Sequence, residues 1–156
     1  MLEISSLTKR LGKRNVITNL SFSAQRQECI GLFGESGAGK TTLLNVISGL
    51  ASPSAGHVTV EGFDTQAHPL QARRALGYQL QDGLSHQTMS VKGVLNFIAA
   101  VRGFSGAEKR SRVDRAAMRL ELSRVLDAPI DTLSVGLKRR VAIAQAILHT
   151  LSLIHI

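Results

Sequence analysis

The chain has 156 residues, 44% hydrophobic and 19% charged, with five Phe, one Tyr and no Trp. It is long enough for one domain with a buried core, too poor in aromatics for a base-stacking surface, and without an apolar run near the roughly 20 residues that cross a bilayer. A single cysteine, Cys29, excludes a disulfide framework. It sits in an apolar run and is expected in the core. The net charge is +8. Its basic residues, along Arg102 to Arg124 and at Lys138, Arg139 and Arg140, alternate with Glu108, Asp114, Glu121, Asp127 and Asp131. That pattern suits solvated helix faces better than a nucleic-acid stripe, so no nucleic-acid partner is expected. The N-terminus, MLEISSLTKR, lacks a signal-peptide layout, and a cytoplasmic location is expected.

In chain order, LEISSLT alternates apolar and polar residues and predicts a strand. GKRN, Gly12 to Asn15, is a turn, and VITNLSFSA predicts a second strand. CIGLF, Cys29 to Phe33, is a continuous apolar run, as expected of a buried strand. A helix follows from about Lys40 to Ser48, with Gly49 as C-cap and Pro53 beyond. HVTVEG predicts a short strand ending in a turn. RRALGYQL predicts another, entered from a short helix near Leu70. Helical patterns cover Val91 to Val101, Ala107 to about Val125, and about Gly136 to Leu148, where Leu137, Val141, Ala144 and Leu148 recur at helical spacing. Alternating strands and helices, with antiparallel strands in front, predict an α/β core with a helical insert over about 91–131.

Between the apolar run and the first helix lies GESGAGKT, Gly34 to Thr41, which fits the phosphate-loop pattern G-x-x-x-x-G-K-[ST]. Gly34, Gly37 and Gly39 allow tight turns and close approach to an anion. The N–H groups of Glu35, Ser36 and Ala38 can then join theirs in a nest for phosphate oxygens, backed by the positive end of the helix. Lys40 is expected to reach the β- and γ-phosphates, Thr41 to hold Mg²⁺ through its hydroxyl, and Thr42 to touch the α-phosphate. A predicted strand before the loop and a predicted helix after it supply the context the pattern needs.

With this loop in place, residues 1–150 resemble the ATP-binding subunit of an ABC transporter. Ile4 to Asp64 reads as the N-terminal half of that domain, including its P-loop NTPase core. The resemblance implies that Gln81, in GYQLQD, contacts Mg²⁺ and the attacking water and signals to the membrane subunits. TLSVGLKRR, Thr132 to Arg140, resembles the family signature Leu-Ser-Gly-Gly-Gln. Leu133, Ser134 and Gly136 match, while Val135 and Leu137 depart from it. Ser134 and Gly136 at a helix N-terminus make a second anion site, which in the family closes over the γ-phosphate held by a partner subunit. An ordinary Ser N-cap is the other reading of Ser134. Where the family commonly stacks adenine on an aromatic residue, this chain has Leu11, which offers apolar contact only.

The wording around the signature is most similar to ATPases of ABC-2 type exporters, including the gliding-motility-associated branch. The resemblance thus implies ATP and Mg²⁺ as ligands and a second ATP-binding subunit in a head-to-tail dimer. It also implies transmembrane permease subunits, through which this chain lies on the cytoplasmic face of the membrane, and ATP hydrolysis in the parent protein. The family's apolar strand ending in Asp and then Glu is expected after the signature helix, but the chain reads LSLIHI, Leu151 to Ile156. CTG TCT CTT ATA CAC ATC, the mosaic-end adapter of transposase-based sequencing libraries, translates to these residues. The segment is therefore expected to be adapter read-through, the fold to be incomplete at the C-terminus, and this fragment to bind nucleotide without turnover. Being apolar and β-branched, the segment could still be drawn in as a strand, and His155 is not read as a ligand. A soluble non-transport ABC protein and a non-hydrolysing nucleotide-binding module are the alternatives. A GTPase is disfavoured because no guanine-reading Asn-Lys-x-Asp motif occurs.

Overall fold

The structure, a computed structural model, describes residues 1–79 and 88–148, and the backbone of 153–155. Gln81 and the boundary at Thr150 lie outside the described residues. The chain divides into two units, the first from Met1 to Gly77 together with Leu151–His155, the second beginning at Tyr78.

In the first unit, β1 (Leu2–Leu11) and β2 (Arg14–Ala24) form a hairpin around Gly12 and Lys13. β3 (Ala55–Val60) and β4 (Phe63–Asp64) complete a four-stranded antiparallel sheet in the order β2-β1-β3-β4. Alternation places Leu2 and Ile4 in the core. The phase then shifts. Ser6 adopts φ 49, the register slips on both sides of β1, and Leu7 rather than Ser6 is buried. Gly56 faces this bulge. A Cβ there would lie 2.4 Å from the Ser6 carbonyl oxygen and 2.5 Å from that of Ser5, so only a glycine lets β3 come this close.

Helix α1 (Lys40–Ile47) packs Leu43, Val46 and Ile47 into the core shared with Val58 and Val60 of β3. Each such buried side chain contributes about 1.5–3 kcal/mol. The helix ends at Ser48, with Gly49 at φ 70 behind it. Helix α2 (Pro69–Arg74) starts with Pro at its first turn and takes up Arg73 and Arg74, which the sequence had suggested for a strand. Strand β5 (Leu76–Tyr78) then pairs with β6 (Leu153–His155).

The run Cys29–Phe33 corrects an expectation. It forms no strand, and Cys29 is exposed rather than in the core. Ile30 and Leu32 are 47% and 37% exposed, and Phe33 is 95% exposed. A strand needs a neighbour to take up its N–H and C=O groups, and none among the described residues pairs with this segment.

The second unit holds α3 (Val91–Val101), α4 (Gly106–Arg119) and α5 (Val135–Ala146). Val91, Val94, Leu95 and Ala99 recur on one side of α3 and pack with Val113 and Val141. The start of α3 is satisfied twice over. Ser90 Oγ accepts the Gly93 N–H at 3.1 Å, and the N–H groups of Val91 and Lys92 donate to the carbonyls of Ala128 and Leu126. Helix α4 stops at Leu120, before Glu121 at φ 55, earlier than the charge pattern suggested. Arg112 of α4 lies 4.0 Å from the Phe104 ring centroid and also holds Glu108 and the Leu148 carbonyl.

Candidate functional site

The loop Gly34–Gly39 leads directly into α1, and its residues Gly34 to Ala38 are exposed. The Ala38 N–H donates to the Glu35 carbonyl at 3.2 Å and closes one tight turn. Gly39 is the N-cap of α1 at φ 94, a left-handed conformation that side chains with a Cβ rarely adopt. It is also pressed against β2, since a Cβ would lie 2.9 Å from Val16 Cγ1 and 3.2 Å from the Val16 carbonyl oxygen. The end of the loop is thereby fixed to the hairpin.

The first intrahelical bond of α1 runs from the Leu43 N–H to the Gly39 carbonyl at 2.8 Å. The N–H groups of Lys40, Thr41 and Thr42 precede it and have no acceptor within the helix. No side chain caps this end, and its first turn carries no acid. Its partial positive charge is therefore not neutralised locally, and it favours an anion there. Lys40 Nζ turns back over the loop and donates to the carbonyls of Gly34 and Glu35 at 2.8 and 2.7 Å. The ammonium group thus sits above the loop, within reach of an anion seated in it. Thr41 is exposed and Thr42 half-buried beside it.

The chemistry of this donor set fits a magnesium nucleotide. Magnesium keeps several waters and takes substrate phosphates with one or two protein oxygens, which a single threonine hydroxyl can supply. Among the described residues no cluster of three or more His, Cys, Asp or Glu offers an all-protein cage.

In the second unit, Ser134 is the N-cap of α5, and its Oγ accepts the Leu137 N–H at 3.3 Å. Capping therefore accounts for its hydroxyl. The N–H groups of Val135 and Gly136 lie ahead of the first helical bond, and the first turn again lacks an acid. Ser134, Val135 and Gly136 are all exposed, and a Cβ on Gly136 would meet nothing within 4 Å. Lys138 Nζ donates to the Asp131 carbonyl at 3.1 Å, and Arg140 pairs with Glu121.

The structure thus brings Gly34 through Thr42 into one loop and helix start, and places Ser134 and Gly136 together at another helix start. Two features of the site carried no local sequence signal: the Lys40 bonds to loop carbonyls, and the packing of Gly39 on Val16.

A sequence profile of the family described as ABC transporter matches residues 17–155. The chain is 30% identical over 155 residues to the ABC transporter ATP-binding protein NatA of Bacillus subtilis (strain 168), covering 96% of this chain and 63% of that protein. It is 32% identical over 149 residues to the Nod factor export ATP-binding protein I of Ralstonia nicotianae, covering 96% and 46% respectively. It spans less than two thirds of either relative's length. Among solved structures it resembles the dimeric ATP-binding cassette MJ0796 in a post-hydrolysis state bound to ADP and Pi. There the TM-score is 0.84 at 25% identity, covering 99% of this chain and 72% of that one. The phosphate loop opening α1, the signature-like start of α5 and the profile match lead to one conclusion: the chain belongs to the ABC transporter family.

Proposed function

We propose that this chain is the nucleotide-binding part of an ATPase that powers ABC-type transport, of the ABC-2 export class, in its complete parent protein. The carrying observation is the loop Gly34–Thr41, with an uncapped, acid-free helix start behind it and Lys40 folded above it. The loop's N–H groups cradle the phosphates, Lys40 leaves its carbonyl partners for the β- and γ-phosphates, and the Thr42 hydroxyl meets the α-phosphate. Bound Mg²⁺ would neutralise charge on the phosphates, with the Thr41 hydroxyl as one of its protein ligands. Gln81 is assigned the contact with Mg²⁺ and the attacking water.

The free N–H groups at Val135 and Gly136, with Ser134, are assigned to the γ-phosphate held by a second ATP-binding subunit. That pairing is head to tail. Both subunits then sit on the cytoplasmic face of a membrane through permease subunits. No helix among the described residues is long and apolar enough to cross the membrane itself. Residues 147–156 contain no Asp or Glu, so the 156-residue chain is expected to bind ATP without turning it over.

Calorimetric titration of the purified chain with Mg²⁺–ATP tests the reading, with phosphate release followed in parallel. Saturable binding that Lys40→Ala removes, without phosphate release, supports it. No binding, or binding indifferent to Lys40, overturns it.

A further inference from the structure

Strand β5 needs a neighbour. Leu76 is 4% exposed and Gly77 is buried beside it. Backbone N–H and C=O groups buried in this way need partners. Among the described residues the strand that supplies them is β6. It does not follow β5 in the chain. Residues 79–152 lie between the two, and α3, α4 and α5 within them belong to the second unit. β6 itself belongs to the first unit, together with Leu76 and Gly77. Pairing therefore closes a long loop, which costs entropy, and it does so with a strand of three residues. A two-stranded sheet of this size is marginal by itself. β6 is held because β5 has to be paired, and a strand held on those terms is exchangeable.

The occupant also has a distinct chemistry. Residues 151–156 contain no Asp, Glu, Lys or Arg, and four of the six are Leu or Ile. Such residues suit a pleated, partly buried surface, whereas a charge placed against a buried strand would be left without water or a partner. We propose that β5 is a strand-accepting surface for extended, uncharged, apolar peptide segments, plugged in this chain by β6, and that a segment of the same chemistry from another molecule can replace β6. Main-chain bonds along the strand supply the affinity, and apolar side chains with no charge supply the selection. The surface is independent of the nucleotide reading. Its plug is tethered, with an effective concentration of about millimolar, so an added peptide meets an edge already in use.

The test uses the full 156-residue chain and a fluorescein-labelled LSLIHI hexapeptide. Binding is followed by anisotropy, and hydrogen exchange is followed at Leu76–Tyr78. Leu153→Pro combined with Ile154→Pro removes an N–H from each edge of β6 and leaves β5 unaltered. Exchange at Leu76–Tyr78 should then quicken by at least about tenfold, and saturating peptide should slow it again. The peptide should bind this variant at least about tenfold tighter than wild type, in which the tethered strand competes. Leu153→Val combined with Ile154→Val keeps a strand and should behave as wild type. A hexapeptide with Lys in place of both leucines should bind the proline variant at least about tenfold more weakly than LSLIHI. Equal binding of LSLIHI by wild type and the proline variant, or binding by neither, overturns the proposal. So does equal binding of the two peptides, or unchanged exchange at β5 in the proline variant. A proline variant that loses its melting transition makes β6 a fixed part of the core and overturns the exchange as well.

Discussion

Gly39 and Val16 meet so closely that no side chain fits between them: a Cβ on the glycine would lie 2.9 Å from a Val16 methyl carbon. That contact ties the helix proposed to receive phosphate to a strand more than twenty residues earlier in the chain. Gly39→Ala meets two obstacles, the clash and φ 94. It is expected to cost about 1–3 kcal/mol in thermal or urea unfolding and to weaken nucleotide binding. Adding Val16→Ala removes the methyl clash but neither the 3.2 Å approach to the Val16 carbonyl oxygen nor the backbone strain. The double variant should recover part of the lost stability and no more, which a double-mutant cycle measures.

Lys40→Ala separates binding from folding. Among the described residues the ammonium bonds only to carbonyls of an exposed loop, so its loss should shift the melting temperature little. Its charge-assisted bonds to phosphate are worth about 1.5–3 kcal/mol, so ATP affinity should fall at least about tenfold. A large drop in melting temperature would make Lys40 a structural clasp instead.

Ser134 serves as a cap and is proposed as a ligand contact, and two substitutions tell these apart. Ser134→Ala removes the acceptor for the Leu137 N–H and should cost about 0.5–2 kcal/mol. Ser134→Asp keeps a capping oxygen and adds charge to a first turn that has no acid. It should retain or raise stability by about 0.3–1 kcal/mol. In the full-length parent the same Asp would face a phosphate, so ATP hydrolysis should collapse while the protein stays folded. Melting curves and phosphate release read the two effects separately.

Asp64 gives a pH signature. Its carboxylate accepts the Ala67 and Gln66 N–H groups at 2.9 and 2.7 Å and faces His57. The Ala67 bond leads in holding its pKa below the ordinary carboxylate value, partly opposed by burial, with Gln66 and His57 adding to the lowering. A depressed folded-state pKa means the stabilisation is complete above the unfolded value of about 3.9. It is lost as pH falls from there through the folded pKa. Wild type should therefore exceed Asp64→Ala in stability at pH 5, and the margin should shrink as pH drops below about 4. Urea unfolding at a series of pH values measures it.

How much of this was legible in the sequence depended on whether the signal was local. Glycine spacing announced the loop, and apolar spacing set α3 at Val91–Val101. Alternation gave the hairpin strands, though not the slip at Ser6 that turns Leu7 inward. Cys29–Phe33 went wrong for a physical reason. Five adjacent apolar residues report a need for cover, not whether a neighbouring strand meets it. Packing of Gly39 on Val16 and the facing of Leu11 with Arg14 depend on hairpin register, which hydrophobic periodicity alone does not fix. Thr42 and Ser134 were legible as positions, and the sequence left Ser134 open between a helix cap and an anion contact until the helix start put its Oγ on the Leu137 N–H.

The exposed stem Cys29–Phe33 bears on how tightly any nucleotide can be held. The phosphate loop is gripped on its far side, by α1 and the Gly39 contact, and enters from a segment that has no strand partner among the described residues. Ordering backbone costs about 1–2 kcal/mol per residue. Whatever fixes the stem in the binding-competent arrangement raises the fraction of molecules ready for phosphate, and apparent affinity rises in proportion. On the proposed reading, affinity is a shared property of loop and stem: a ligand, a neighbouring strand or a single substitution such as Phe33→Ser should retune it without touching a residue assigned to phosphate.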